Sequence, residues 1–475
     1  MHRSSLLLLG LSGCLVQDPQ WEPPPAESDA TQSTGSGATE TDTEGDPTTT
    51  DGTASGGETT GTTPPTDDLP ADCSALGGLP DDAIIVGPED NDTLHTIVAE
   101  APPGATIALS PGQYDRSGQP SIVITSAGLT LRSTTGDPAE AVLDGGGVAP
   151  EPIVRVRADD VTLAEFKIHN SADTLIEVGL PGESEPVVQR PHIYRMELAD
   201  SITAQLDVGA ESGRWTDDGV VACSTFHLTD PFRDTIGSCS SVSGIRISGG
   251  VRWIVRDNEI NGLWCTTPTY AVLAADLGSR DTRIERNVLR NNFRGILLGG
   301  DNATDGRPEP SGNTCGDPDG DTWGHVRGEV VNNVIWVEDP RIQGAVPDYG
   351  SDVDAMISFW HVCAAAAIHN TSYVTVTTFS GIEWRYTDTA VTITNNVLST
   401  TLEPRQGGIA LGLEGNAAQT TAAAYVNADE GDFRLVAGSA AIDAGVDVPG
   451  FPAPVDFAGQ SRVGRPDLGA FEFQP

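Results

Sequence analysis

The amino-acid sequence predicts an all-β solenoid, in which short strands stack coil upon coil. From about residue 104, short runs of β-prone residues alternate with Gly, Asn and Asp, as at 105–109 and 121–124. No stretch shows the apolar stripe of a helix of about 12 residues. A phrase centred on Asn recurs along the chain, and recurrence every 20–50 residues is the sequence signature of a solenoid.

The N-terminus has the features of an export signal. Arg3 supplies a positive charge, and residues 6–9 form an apolar run that is far too short to span a bilayer as a helix. The run ends in Leu-Ser-Gly-Cys at Cys14, which resembles the bacterial lipoprotein signal, in which the Cys is acylated. We therefore expect residues 1–14 to be a signal peptide, Cys14 to be the lipidation site, and the protein to be exported and anchored to the bacterial cell envelope, at the outer membrane or cell surface. An ordinary secretory signal with a chance Cys is the alternative.

Residues 15–72 consist mainly of Thr, Gly, Ser, Pro, Asp and Glu. They offer too few apolar side chains to offset the entropy of ordering, so we predict a disordered acidic linker. The linker holds 13 of the 68 acidic residues, so most of the net charge of −42 belongs to the rest of the chain. Such a surface repels phosphate backbones and anionic lipid heads, so we expect no nucleic-acid partner and membrane contact only through the lipid.

Cysteine usage fits an exported protein. Seven Cys residues occur, and removing Cys14 for the lipid leaves six, which allows up to three disulfides. We predict a bond between Cys223 and Cys239, because it would close the irregular stretch between them. Buried free thiols are the alternative.

The Asn phrase sets the size of the coil. The spacings between its last five occurrences are 29, 46, 37 and 26 residues, which indicates coils of roughly 22–26 residues with loop insertions. Asn tolerates left-handed corners and can hydrogen-bond to the Asn of the next coil. We predict roughly 9–12 coils over residues 73–410 and a capping segment over 411–475. The Asn residues are Asn170, Asn258, Asn287, Asn333, Asn370 and Asn396.

Two regions carry a resemblance to a known family. They are Ser110-Pro111-Gly112-Gln113-Tyr114, at the start of the coils, and Gly438-Ser439-Ala440-Ala441-Ile442-Asp443-Ala444-Gly445 with Arg465-Pro466-Asp467-Leu468-Gly469-Ala470-Phe471-Glu472, near the end. The chain resembles the right-handed parallel β-helix family of the broad pectin-lyase-like class over about residues 95–410, and its end resembles the closing segment of bacterial surface β-helix proteins. The resemblance implies a right-handed parallel β-helix with a C-terminal cap. These motifs specify fold well and activity poorly.

An acidic loop is a candidate metal site. Asp317, Asp319 and Asp321 alternate in a Gly-containing segment, and carboxylate oxygens suit a hard cation such as calcium. The loop departs from the EF-hand pattern, because Thr322 stands where that pattern has Gly. Calcium is the one cofactor we expect; an acidic solvated loop is the alternative.

Five residues near the C-terminal coils are candidate catalytic groups: Asp352, Asp354, His361, Glu383 and Arg385. The two Asp residues would share a strand face roughly 7 Å apart, which suits an inverting glycosidase pair. Alternation predicts that Glu383 and Arg385 point outward, and His361 lies about one coil before Arg385, within a register error of two residues. Together they would form an acid/base groove; a solvated surface ion pair is the alternative.

Three further residues are candidates for binding a sugar: Arg294, Trp360 and Trp384. The leading hypothesis is a monomeric surface protein that binds or processes a polysaccharide or cell-surface glycan, as a glycoside hydrolase or lyase would. A non-catalytic structural or adhesive protein is the competing hypothesis. The acidic surface favours neutral glycans over anionic ones unless calcium bridges the like charges.

Overall fold

The chain winds repeatedly through three parallel sheets. The computed structural model describes residues 67–148, 151–179, 188–209, 215–300, 306–307, 323–346 and 353–474. Each coil passes through the first, second and third sheet in turn, and each strand pairs in parallel with the strand one coil later. The described residues form ten strands in the second sheet and ten in the third. The predicted solenoid and its number of coils are confirmed.

The elements are short. The first sheet contains Ile84–Val86, Thr106–Leu109, Thr130–Ser133, Thr162–Ala164, His192–Tyr194, Val220–Ala222, Ile254–Arg256, Arg283–Glu285, Glu329–Val331, Val362–Ile368, Ala390–Thr394 and Ile409–Gly412, with Ser279–Arg280 and His325–Val326 beside it. The second contains Gly112–Asp115, Ala141–Asp144, Lys167–Ser171, Glu197–Ser201, Thr225–His227, Glu259–Asn261, Val288–Arg290, Val334–Val337, Thr371–Val374 and Val397–Leu398. The third contains Ile122–Ile124, Val154–Val156, Ile176–Val178, Ala204–Val208, Ser243–Ser248, Leu273–Asp276, Ile296–Gly299, Ile357–Trp360, Ile382–Arg385 and Leu402–Arg405. Two strand pairs lie outside these sheets, Val188–Gln189 with Thr216–Asp217 and Tyr425–Asn427 with Asp432–Leu435. The α-helices are Leu94–Glu100 and Asp230–Arg233, and the 3₁₀ turns are Pro88–Asp90, Ala422–Ala424 and Ala428–Glu430.

Aliphatic side chains fill the interior in rows. Because side chains alternate across a strand, every second residue points inward, and parallel pairing places equivalent residues of successive coils above one another. One inward row of the third sheet is almost wholly buried, and burying each such side chain is worth about 1.5–3 kcal/mol. Its members are Ile122, Val154, Ile176, Leu206, Ile245, Leu273, Ile296, Ile357, Ile382 and Leu402.

The predicted Asn ladder is present, but Asn170 is not part of it: Asn170 lies at a left-handed corner, and its amide donates to Asp144. Each side-chain amide donates to the Oδ1 atom of the next Asn at 2.9–3.0 Å, from Asn258 onward. The ladder ends at Asn416, a sixth member that the sequence pattern did not reveal. The left-handed corner falls one residue before the ladder position, at Asn332 and Asn395 for example. The ladder therefore satisfies buried backbone groups at the corners between the first and second sheets from Asn258 onward.

The two ends are covered differently. At the N-terminal end, the helix Leu94–Glu100 buries Leu94 and Val98 against the first coils. The C-terminal segment packs on the outer face of the second sheet, where Phe433 contacts Trp336 with ring centroids 5.8 Å apart. It therefore covers the side of the last coils, and Leu411 in the edge strand Ile409–Gly412 stays 64% exposed.

The N-terminal strap, residues 67–78, crosses the outer face of the first sheet. Asp67 pairs with Arg256, and the Tyr194 hydroxyl donates to the Ser74 carbonyl at 2.6 Å. Leu69 is buried. Residues 67–72, the last six of the predicted linker, thus belong to the folded part, because they find partners on the sheet.

The predicted bond between Cys223 and Cys239 is wrong. Cys223 bonds to Cys73 of the strap, and Cys239 bonds to Cys265. Cys363 is disulfide-bonded as well. In a solenoid, neighbours in space lie about one coil apart along the chain, and the 26 residues between Cys239 and Cys265 match the coil period. Cys223 lies at a left-handed corner beneath the strap.

We expect the double replacement of Cys73 and Cys223 by Ser to lower the free energy of unfolding by about 2–5 kcal/mol, because the bond closes a long loop of the unfolded chain. Denaturant unfolding would measure it. The matched control replaces Cys239 and Cys265, whose loop is 26 rather than 150 residues and whose entropic contribution is about 1.5 kcal/mol smaller. Equal losses would contradict the entropic account.

Candidate active site

Two rows of side chains point outward from the third sheet. Successive members of a row lie one strand spacing apart, about 4.8 Å. The first row runs Val123, Arg155, Glu177, Asp207, Arg246, Ala274, Leu297, Ser358 and Glu383. The second row, two residues further along each strand, includes Ser248, Asp276, Gly299, Trp360, Arg385 and Arg405. Three of the candidate residues named from the sequence, Trp360, Glu383 and Arg385, lie on these rows.

Trp360 is the centre of one cluster. Its indole Nε1 donates to Glu383 Oε1 at 2.8 Å. The Arg385 guanidinium lies 4.6 Å from the centroid of the Trp360 ring, and the Arg294 guanidinium lies 5.7 Å from it. Arg294 also pairs with Asp354, at 2.8 Å from its Nε atom. These five residues, with Arg405, are here called the Trp360 cluster.

Both carboxylates of the Trp360 cluster are already engaged. Glu383 has no exposed surface; its Oε1 atom also accepts from Ser358, and its Oε2 atom accepts from Arg405 at 3.1 Å. Asp354 is 8% exposed and accepts from Arg294 and from the backbone N–H of Ala355. The expectation that Glu383 lies solvated is therefore wrong, because Trp360 and Arg405 cover it. These carboxylates position the ring and the guanidiniums.

His361 lies at the edge of the cluster. Trp360 rather than His361 is the strand partner of Arg385, a shift of one residue that falls inside the expected register error. His361 occupies the left-handed corner that follows the strand, stacks on Tyr386 with ring centroids 4.0 Å apart, and bonds to Asp388 at 2.8 Å. It is close to the Trp360 cluster through Tyr386, whose ring centroid lies 6.5 Å from that of Trp360.

Trp384 is not a binding residue. Its ring points into the core, is 2% exposed, and donates to the Gly408 carbonyl at 3.2 Å. The alternation that turns Glu383 and Arg385 outward turns Trp384 inward. The remaining candidates lie outside the described residues: Asp352, Asp317, Asp319, Asp321 and Cys14.

A second cluster on the same face was missed by sequence reasoning. Asp207 is the strand partner of Arg246, and the Arg246 Nε atom lies 3.3 Å from Asp276 Oδ2. Asp276 also accepts from the Tyr270 hydroxyl at 2.6 Å and from Ser248 at 2.7 Å. Asp207, Arg246, Tyr270 and Asp276 are here called the acid cluster.

Asp207 is the group of the acid cluster that exchanges a proton near neutral pH. Burial raises the pKa of its carboxyl to about 6, with the charge of Asp276 adding to the rise and Arg246 opposing it. Its Oδ1 atom is buried and has no hydrogen-bond partner. Burial, followed by the charge of Asp276, also raises the pKa of Tyr270, so its hydroxyl stays protonated. A carboxyl that titrates near 6 suits general acid catalysis.

An apolar floor joins the two clusters. Ala274 and Leu297 are strand partners on the first outward row, and they pack with Ala271, Tyr270 and Trp360 in a small group outside the main core. The face thus presents an acid cluster, an apolar floor and an aromatic platform in consecutive coils. A sugar ring, with its apolar C–H faces and polar edge, is complementary to such a sequence of surfaces.

Only one feature of the sequence could have indicated the acid cluster, the spacing between Arg246 and Asp276. Arg246 and Asp276 are 30 residues apart, close to a coil. Loop insertions make the spacing to Asp207 irregular, however, so the rows are visible only once the register is known.

Comparison with solved structures shows what the fold is. The chain superposes on pectate lyase Pel9A with a TM-score of 0.55 at 16% identity, covering 85% of this chain and 100% of that one. The fold is a right-handed parallel β-helix of the pectin-lyase-like type. Weaker matches include an alginate lyase from Paenibacillus sp. str. FPU-7 (TM-score 0.46, 12% identity, 71% of this chain and 99% of that one) and a polygalacturonase from Erwinia carotovora ssp. carotovora (0.39, 11%, 73% and 98%).

Sequence comparison adds no family. No protein-family model and no curated protein matches the chain.

Across the part of the chain that the structure describes, no helix is long and apolar enough to cross a membrane.

Proposed function

We propose that the protein processes a polysaccharide on the outer face of the third sheet of its β-helix. The observation that carries the proposal is the alignment, on one face, of the acid cluster, the apolar floor and the Trp360 cluster. Pel9A, which shares the fold, is a pectate lyase, which fits a polysaccharide substrate. Trp360 stacks on a sugar ring, Arg294 and Arg385 donate to its hydroxyls, and Asp207 supplies the proton.

The chemistry that fits these groups best is glycoside hydrolysis. Protonated Asp207 donates its proton to the glycosidic oxygen as the bond to the anomeric carbon breaks. A water molecule adds to that carbon and gives its proton to a carboxylate. Asp276, which shares Arg246 with Asp207, is our candidate for this base. Tyr270, held protonated, orients Asp276 through its hydroxyl.

The charge balance of the face favours a neutral glycan. Across the two clusters, four guanidiniums stand against four carboxyl groups, three of them ionised while Asp207 holds its proton, although the whole chain carries −42. A site this close to neutral has little net charge with which to attract a polyanion. The surrounding acidic surface repels a polyanion at longer range.

A panel of neutral and acidic polysaccharides, with products analysed by mass, tests the proposal. We expect Trp360→Ala to weaken binding of the substrate roughly tenfold, because the sugar loses its stacking surface. Trp360→Phe keeps a ring but loses the bond to Glu383, so it should retain more affinity than Trp360→Ala. Unchanged binding by Trp360→Ala would contradict the site. Binding by the native protein without products would favour the adhesive alternative.

Anchoring and metal binding remain part of the proposal. We infer a lipid at Cys14 from the export signal, and the acidic linker that follows would hold the β-helix away from the membrane. Calcium at Asp317, Asp319 and Asp321 would stabilise their loop and, if the substrate were anionic, bridge it to the acidic surface. We propose that the protein acts as a monomer.

A further inference from the structure

We infer that a cleft at the N-terminal end of the same face is a second sugar-binding subsite, so that the protein engages long glycan chains at internal positions. The inference rests on the proposed function. The cleft has a volume of about 500 Å³, and its lining includes Gln119, Ser121, Val123, Glu151, Ile153 and Arg155. It is separate from both clusters described above.

The cleft is built to meet hydroxyl groups. The Arg155 side chain is 29% exposed, and the carboxylates nearest to its guanidinium, Glu151 and Glu177, lie at 3.5 and 3.6 Å, beyond good hydrogen-bond distance. The Glu151 side chain is 63% exposed. A partly exposed guanidinium next to an exposed carboxylate suits a ligand whose groups both accept and donate, as sugar hydroxyls do.

The walls of the cleft are fixed and partly apolar. Arg116 at its base is 2% exposed and donates to the carbonyls of Asn91 and Pro120 at 2.7 Å. The Ser121 hydroxyl donates to the Pro152 carbonyl at 2.6 Å, which ties the two coils that form the rim. A preformed cleft with few polar groups at fixed positions binds at a small entropic cost.

The register of the sheet connects the cleft to the acid cluster. Val123 and Arg155 stand on the same outward row as Asp207, with Glu177 between Arg155 and Asp207. Arg155 is therefore two strand spacings from Asp207, about 10 Å.

The same register sets the length of the ligand. Ser358 is the first-row residue of the strand that carries Trp360. From Arg155 to Ser358 there are six strand spacings along the first row, about 29 Å. One spacing is close to the length of one sugar residue in an extended chain. A glycan that touches both the cleft and Trp360 therefore needs about six or more residues. Asp207 lies between these two contacts, so the bond presented to it is internal to the chain.

Binding of size-graded oligosaccharides tests the inference. The probes are cello-oligosaccharides and oligogalacturonates, each from disaccharide to octasaccharide, titrated against the full chain by calorimetry. We expect affinity to rise with length up to about the hexasaccharide. Arg155→Ala and Glu151→Gln should each weaken octasaccharide binding about tenfold and leave trisaccharide binding unchanged. Glu151 is largely exposed, so its variant should fold even if the Arg155 variant does not.

The outcomes separate the subsite from the proposed function. If Trp360→Ala weakens octasaccharide binding but Glu151→Gln and a folded Arg155→Ala do not, the subsite is wrong and the polysaccharide site stands. If affinity reaches its plateau at the trisaccharide, the inference is overturned in the same way. If no probe of either series binds, both the subsite and the proposed function are contradicted.

Discussion

Replacing Asp207 by Asn should lower turnover of a polysaccharide substrate about 10²–10⁴-fold while leaving its binding nearly unchanged, because the amide cannot supply the proton. Burial raises the pKa of the Asp207 carboxyl to about 6, so we also expect native activity to fall as the pH rises through that value. Initial rates of product formation across pH 4–8 would measure both effects. The matched control is Glu259→Gln, an exposed carboxylate on the second sheet.

A second readout of Asp207 needs no substrate. The folded carboxyl keeps its proton up to about pH 6, whereas the unfolded one loses it near its ordinary pKa of 3.8. The folded state therefore binds more protons between these values, and stability from this group declines as the pH rises from about 4 to about 6. The difference in unfolding free energy between native protein and Asp207→Asn should follow that decline.

Full turnover by a folded Asp207→Asn variant would refute the acid role.

Replacing Asn333 by Ala should cost roughly 3–5 kcal/mol of unfolding free energy. Asn333 has no exposed surface and lies in the middle of the ladder. Its Oδ1 atom accepts from the backbone and the amide of Asn287, and its Nδ2 atom donates to Asn370 and to the Ile284 carbonyl. Alanine leaves these buried groups without partners, and each costs about 1–3 kcal/mol. Denaturant unfolding would measure the loss.

Asn416 supplies the control for the ladder. It ends the row and is partly exposed; its Oδ1 atom accepts from Asn396, and its Nδ2 atom donates to the Ile393 and Leu413 carbonyls. We expect Asn416→Ala to cost about 1 kcal/mol, because water can replace the lost bonds. Equal costs at Asn333 and Asn416 would mean that position in the ladder does not matter. Hydrogen exchange at the Asn287 amide would localise the effect.

Local pattern was enough to predict the coils. The alternation of apolar residues fixed which face of a strand such as Ile382–Arg385 is buried, because side chains alternate in any strand whatever its partners. The Asn phrase predicted the ladder, because each ladder residue stands at the same point of its coil. The same logic placed Arg385 outward, on what became the candidate site.

Long-range pairing could not be predicted in the same way. Coils differ in length through their loop insertions, so the register between Asp207, Arg246 and Asp276 could not be counted from spacing. The bond between Cys73 and Cys223 depends on the path of the N-terminal strap across the first sheet. Cys73 lies in that strap, 150 residues before Cys223 in the sequence, so no local pattern predicts that the two meet. The burial of Glu383 depends on Arg405 and Trp360, which reach it from other coils.

The sequence by itself determined that this protein is a stack of β-coils with a buried aliphatic interior, an Asn ladder and an outward Arg385. Those features follow from periods within a strand or a coil, which local chemistry sets. Only the tertiary structure decided which carboxyl is poised to give up a proton, because the pKa of Asp207 depends on burial and on charges one and two coils away. It also decided that the cleft at Arg155 and the Trp360 cluster share one face, because the pairing register of the third-sheet strands places both on the same side of the sheet.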